Sequence, residues 1–214
     1  MTDNRTGLLL ACGVLATPLF FVVAFAQTTT RAGFDLGPHM ISQLASGDHG
    51  WIQIANFVVT GILFILAAIG LRQAFTEGPG RVWIPRLVAV FGAGLIAAGV
   101  FVVDPVKGYP VGAVEHTTWH GILHGVAAVV AGLSMTAALG VFARRFFAAG
   151  QRGWAIASIV VAVVYLVLPF VNADQGGLLL AVASIIGWGW VSVLALRQLP
   201  AFAAHFSWGT PHPA

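Results

Sequence analysis

Charge is what this sequence lacks. Ten Lys and Arg and seven Asp and Glu in 214 residues leave 8% of the chain formally charged against 58% apolar. Mean hydropathy is +0.91. So few ionised groups cannot solvate the surface of a soluble domain, which excludes that class and points to an integral membrane protein. Cysteine is almost missing as well: Cys12 stands alone inside an apolar run, so no internal disulfide can form and the redox compartment is left open. Strict polar/apolar alternation, the mark of a membrane barrel, is also absent, and the apolar residues come in continuous runs. The pI near 9.8 does not signal nucleic acid, because the basic residues flank those runs and do not gather into a soluble basic face.

What is there is a series of apolar runs near the ~20 residues that an α-helix needs to cross a bilayer. They lie at about 7–27, 51–73, 82–103, 115–143, 153–171 and 177–196. The expected fold is all-α, a polytopic six-helix membrane bundle over residues 1–200, with a cytoplasmic tail at 201–214. The first run has two features of a signal peptide, Arg5 ahead of it and Ala24-Phe25-Ala26 near its end. Its apolar length favours a retained first helix, which Pro18 should kink. Arg5, Arg72, Arg81, Arg86, Arg144, Arg145, Arg152 and Arg197 fall on the N-terminal side, and only Arg31 and Lys107 on the other. That bias predicts both termini in the cytoplasm. Trp51 and Trp119 should mark the outer interface, Trp83 and Trp154 the inner one, and Trp188 and Trp190 should pack inside.

One segment departs from the apolar background: DPVKGYPVGAVEHTTWHGILHG, Asp104–Gly125. If the fourth helix starts near Glu115, then His116, His120 and His124 form one imidazole stripe climbing about 6 Å per step. The topology places Asp35, Asp48, Asp104, Glu115, Asp174, His39, His49, Ser42 and Lys107 at the same extracytoplasmic end. Acids and imidazoles in extracytoplasmic loops are ordinary under the orientation rule, but ionisable groups entering the membrane mark a site or a pathway. His at i, i+4 can ligate zinc from one helix face, with Asp104 as ligand or orienting group, and a zinc-bound water would be a hydrolytic nucleophile. The same groups could relay protons along the helix. Haem between helices is disfavoured, because no second histidine lies inside another run. Alternatively the stripe is buried polar packing, with histidines bonded to Asp104, Gln53 or Asn56. Gln53, Asn56 and Thr60 recur at helical spacing and should face protein instead of lipid. His39, Lys107 and Asp174, with Arg31, could meet a lipid headgroup.

The segments HMISQLASGDHGW at 39–51, GILFILAAIGLR at 61–72, FVVDP at 101–105 and HGILHG at 120–125 resemble the bacterial and archaeal membrane family catalogued as domain of unknown function 998. The resemblance implies six helices, a Ser before helix 2, an Asp closing helix 3, a His opening helix 4, a bacterial or archaeal cytoplasmic membrane, and no established activity. A looser similarity is to the alkaline ceramidases and progestin/adiponectin receptors. It would make Ser42 and Asp104 catalytic, with His116/His120 or His120/His124 on zinc, although those proteins have seven helices and carry their HxxxH pair on the last. The expected function is therefore a metal-binding, lipid-directed, hydrolase-like site, with membrane lipid as partner and a helix partner or homo-oligomer. A small transporter or proton-coupled carrier and a structural accessory subunit are the alternatives.

Overall fold

The structure, a computed structural model, describes residues 4–199. The tail expected at 201–214 lies outside them. Six long helices follow in chain order: α1 (Asn4–Thr28), α2 (Gly50–Ala74), α3 (Trp83–Val100), α4 (Trp119–Ala148), α5 (Arg152–Val167) and α6 (Gly176–Leu196). Short 3-10 turns at Ile41–Ala45, Leu168–Phe170 and Ala173–Gln175 sit in the connections. All six spans are long and apolar enough to cross a membrane, and α1 continues past Pro18 as one helix. The chain is an all-α integral membrane protein.

Each helix packs on the next, and α6 returns to α1, so the six close into a ring in sequence order. Small residues set the tightest seams. A Cβ on Gly61 would lie 2.5 Å from the Gly92 carbonyl, and one on Gly92 would lie 2.6 Å from the Gly61 carbonyl. Backbones of α2 and α3 thus touch, as apolar solvent demands of helices that must win by van der Waals contact. At mid-height the ring is filled by Phe20, Phe57, Phe64, Phe91 and Trp188, whose centroids lie 4.9–6.2 Å apart in edge-to-face pairs. Trp188 is buried in this cluster as expected, whereas Trp51, Trp83 and Trp119 are exposed at helix ends.

The two ends differ. One carries the arginines and two short turns. The other is closed by a cap made from residues 29–49 and 101–118. Phe34, His39 and Tyr109 stack at its centre, with centroids 5.2–5.5 Å apart. The cap is sewn to α6, where the Gly177 amide donates to the Gly37 carbonyl at 2.9 Å. Only glycine fits there, since a Cβ would meet the His39 carbonyl at 2.1 Å.

One boundary moves with consequence. Helix α4 starts at Trp119, not near Glu115, because Thr118 is its N-cap. The Thr118 hydroxyl accepts the Gly121 amide at 3.2 Å while its backbone stays extended. His116 is therefore in a loop, and the stripe of three histidines does not form.

Candidate functional site

Beneath the cap lies a chamber of about 380 Å³. Met40, Ile41, Ser42 and Val106 roof it, α4 and α6 wall it, and Phe91 and Trp188 reach it from the mid-height cluster. The wall exists because α4 presents small groups here, Gly121, Gly125, Ala128 and Ala131. Gly125 and Ala128 line the chamber yet are themselves exposed. The chamber thus opens sideways, on a flank of the bundle where α4 and α6 make little contact.

Of the predicted site residues, His124 and Ser42 meet in this chamber. His124 is buried, and its Nδ1 lies 2.9 Å from the carbonyls of Ala98 and Phe101. Those carbonyls belong to the end of α3, whose last turn leaves acceptors without helical partners. His124 thus caps α3 from α4, through backbone carbonyls and not through Asp104, Gln53 or Asn56. Ser42 Oγ makes no hydrogen bond within the described residues, to a histidine or an acid.

Asp104 faces elsewhere. Its carboxylate accepts the Thr118 hydroxyl at 2.6 Å and the Thr118 amide at 2.7 Å, clamping the end of α3 to the start of α4. These two bonds, the hydroxyl's first, hold the carboxyl below the usual carboxylate range, with smaller help from His116 and His120 against desolvation. A Cβ on Gly121 would meet Asp104 Oδ2 at 2.0 Å, so glycine is what lets the acid reach Thr118. A separate shallow groove holds Asp104, Glu115 and His116.

The other predicted residues lie outside the chamber lining. His116 is exposed and its Nδ1 lies 2.8 Å from the Val114 carbonyl. His120 is exposed and stacks on Trp119 with centroids 3.7 Å apart. His39 is buried; its Nδ1 accepts the Asp35 amide and its Nε2 donates to the Lys107 carbonyl, both at 2.9 Å. Lys107 Nζ donates to the Ala173 carbonyl at 3.1 Å, tying the cap to the turn before α6. Asp174 is exposed, and only its amide is engaged, by Asn172 Oδ1. Arg31 donates to Gln27 Oε1 at 3.0 Å and to the carbonyls of Leu44 and His49. Burial in the cap pushes the Tyr109 phenol up, against the opposing charge of Arg31. Among the described residues no three His, Cys, Asp or Glu side chains converge on a metal position. The three histidines do not fit zinc: one reaches a loop carbonyl, one a tryptophan face and one the end of α3.

Gln53, Asn56 and Thr60 are buried between α1 and α2, as their spacing requires. Gln27 of α1 joins them, donating to Gln53 Oε1 at 2.8 Å, and Asn56 Nδ2 donates to the Phe20 carbonyl at 3.0 Å. Gln53 Nε2, Asn56 Oδ1 and Thr60 Oγ1 find no partner among the described residues. Sequence reading missed Ser184, Tyr165 and Trp188 as chamber residues. Ser184 gave a signal, a hydroxyl inside an apolar run, but a serine in a membrane helix commonly bonds its own backbone.

The chain matches the family described as protein of unknown function (DUF998) over residues 14–197, and it belongs to that family. This is the first of the two resemblances drawn from the sequence; nothing found supports the second. No curated protein and no solved structure matches the chain.

Proposed function

We propose that this protein binds membrane lipid, taking an apolar chain from the surrounding leaflet into the chamber under the cap. The observation that carries this reading is an apolar chamber of about 380 Å³ whose lining residues Gly125 and Ala128 are open on the bundle flank. The volume is within the range of small-molecule sites, and apolar walls with few polar points are the usual makeup of such sites. A flank opening in a membrane-spanning bundle meets acyl chains before it meets water. With the arginines inward, the cap end is extracytoplasmic and the chain comes from the outer leaflet.

The geometry of the chamber favours binding over hydrolysis. Among the described residues Ser42 hydrogen-bonds no base, Asp104 bonds Thr118, and no three metal-binding side chains converge. Carriage across the membrane is disfavoured by the other half of the bundle. There Ser134, Thr136 and Ser158 each donate to a carbonyl of their own helix, amid fully buried Phe64, Leu71, Phe75, Met135, Leu139 and Phe142.

The test uses the full chain in vesicles with a lipid carrying a diazirine at its acyl terminus. Crosslinks should concentrate on chamber residues of α4 and α6. Gly125→Phe should remove them and Gly140→Phe should not, because a Cβ at either position meets nothing within 4 Å. Crosslinks spread evenly over the outer helix faces, or unchanged in Gly125→Phe, would overturn the proposal.

A further inference from the structure

The polar points of the chamber restrict which lipid head can follow a chain into it. Among the described residues no Lys, Arg, Asp or Glu lines the chamber. The ionised groups around it are already engaged: Arg31 with Gln27 and two carbonyls, Lys107 with Ala173, Asp104 with Thr118. A carboxylate, phosphate or ammonium head would enter with no counter-charge, and burial of an unpaired ion is prohibitive.

Four polar side chains do line it: Ser42, His124, Tyr165 and Ser184. His124 Nδ1 contacts two carbonyls, which can only accept, so the ring proton sits on Nδ1. With the proton on Nδ1, Nε2 is left to accept, and no protein group among the described residues reaches it. Ser184 is only 7% exposed, and its hydroxyl has no partner among the described residues. Tyr165 Oη accepts the Trp188 indole N–H at 3.3 Å, which leaves its own proton to give. Buried polar groups of this kind are costly when unpaired. One acceptor and several hydroxyls that can donate or accept, on the walls of one chamber, are the complement of an alcohol.

We infer that the chamber selects an uncharged, hydroxyl-bearing amphiphile, of the long-chain alcohol or monoacylglycerol class, with its hydroxyl donating to His124 Nε2 and accepting from Ser184 or Tyr165. This rests on the chain-binding reading and adds the chemistry of the head. An ether of the same length supplies no donor to Nε2, and a sulfate supplies neither donor nor charge balance. Both should be discriminated against, although their tails are identical.

The experiment is competition against the diazirine-tailed lipid by hexadecanol, its methyl ether and hexadecyl sulfate, on the reconstituted full-length protein. Hexadecanol should suppress chamber crosslinks about tenfold more effectively than the ether, the factor that one good hydrogen bond supplies, and the sulfate should be weakest. Ser184→Ala, which breaks no bond seen in the fold, removes a donor that the alcohol and the ether oxygen can both accept from, so it should weaken both severalfold and leave the alcohol's advantage in place. His124→Phe should abolish the advantage. Because it also uncaps α3, Ser184→Ala and the ligand series decide the matter if that variant does not fold. Equal competition by all three ligands overturns the head selectivity while leaving chain binding intact. No competition by any of them overturns chain binding itself. Competition by the alcohol and the ether that is unchanged in Ser184→Ala removes Ser184 from the site.

Discussion

The cap half and the arginine half of the bundle share a composition and differ in how they are filled. Along the inner face of α4 the cap half presents Gly121, Gly125 and Ala128, and the arginine half presents Met135, Leu139 and Phe142. The first set leaves a chamber; the second closes the ring. The ends are held differently too. At the arginine end, Arg145 donates to the Glu77 and Pro79 carbonyls and lies 4.1 Å from the Phe75 ring centre. Arg197 bonds Gln151 and lies 4.4 Å from the Trp154 ring centre. Those arginines lock short turns through backbone carbonyls and aromatic faces. At the cap end His39, Gln43 and Ser46 bridge the 29–49 segment to the carbonyls of Lys107, Val106 and Val103, alongside the ties made by Arg31, Lys107 and Asp104. A membrane bundle can thus be solid at one end and hollow at the other through side-chain size alone, provided the hollow end has a cap that holds it apart.

The boundary between the halves is Trp188, and removing it is the most damaging test. It touches Phe20, Phe21, Phe64 and Phe91, with centroids 4.9–6.2 Å away. Trp188→Ala should destabilise the fold by about 3–5 kcal/mol, read from denaturant unfolding in mixed micelles. It should also deepen the chamber toward the arginine end, so that longer chains compete better. A loss under about 1 kcal/mol would mean the halves are not divided by this cluster.

Two glycines one turn apart sharpen the comparison within the cap half. Gly121→Ala drives a methyl into Asp104 and should cost about 1–3 kcal/mol, typical of overpacking. Gly125→Ala meets open space and should be neutral or stabilising by up to about 1 kcal/mol, since alanine is the better helix former. Gly140→Ala in the arginine half faces open space as well and serves as the matched control. Equal losses at Gly121 and Gly125 would show that the chamber wall is not open at Gly125.

The Asp104 clamp gives the cap half a dependence on pH. Its carboxyl is held low by Thr118, so the unfolded state takes up a proton first as acid is added. The clamp's contribution is therefore complete above the ordinary carboxylate pKa of about 4 and fades as pH falls through the lower native value. Thermal unfolding of the wild type should lose an increment over that acid range, and Asp104→Asn should be less stable near neutrality and lack it. An identical acid profile in both proteins would detach Asp104 from the clamp.

The fold was legible in the sequence because hydrocarbon imposes one rule on backbone: six long apolar runs can only be six helices. Burial of Gln53, Asn56 and Thr60 followed from their period, and the place of Trp188 from its mid-helix position. The site was less legible. The expected His stripe assumed that helix 4 begins before His116, and Thr118 as N-cap was the signal that denied it, visible as a threonine just ahead of Trp119. Asp104 looked catalytic because an acid beside histidines reads alike whether it meets a ligand or a threonine. A cavity has no sequence period of its own. Gly125 and Gly121 are the same letter, and only the neighbour at each position separates a hollow from a contact.

The smallest expected effect lies in the polar ladder of the cap half. Thr60 is fully buried and its hydroxyl has no protein partner, while Gln27 holds both Gln53 and Arg31. Removing a buried hydroxyl that bonds nothing should be neutral, or stabilising by up to about 1 kcal/mol, so Thr60→Val should unfold at or slightly above the wild-type denaturant concentration. Gln27→Leu removes the stronger of two donors to Gln53 Oε1, leaving Asn56 Nδ2 at 3.3 Å, and takes an acceptor from Arg31, so it should cost about 1–3 kcal/mol. The pair separates a ladder closed by protein from one closed by ordered water. If Thr60→Val proves as costly as Gln27→Leu, the hydroxyl has a bound water, and the cap half is hydrated between α1 and α2 as well as hollow beside α4.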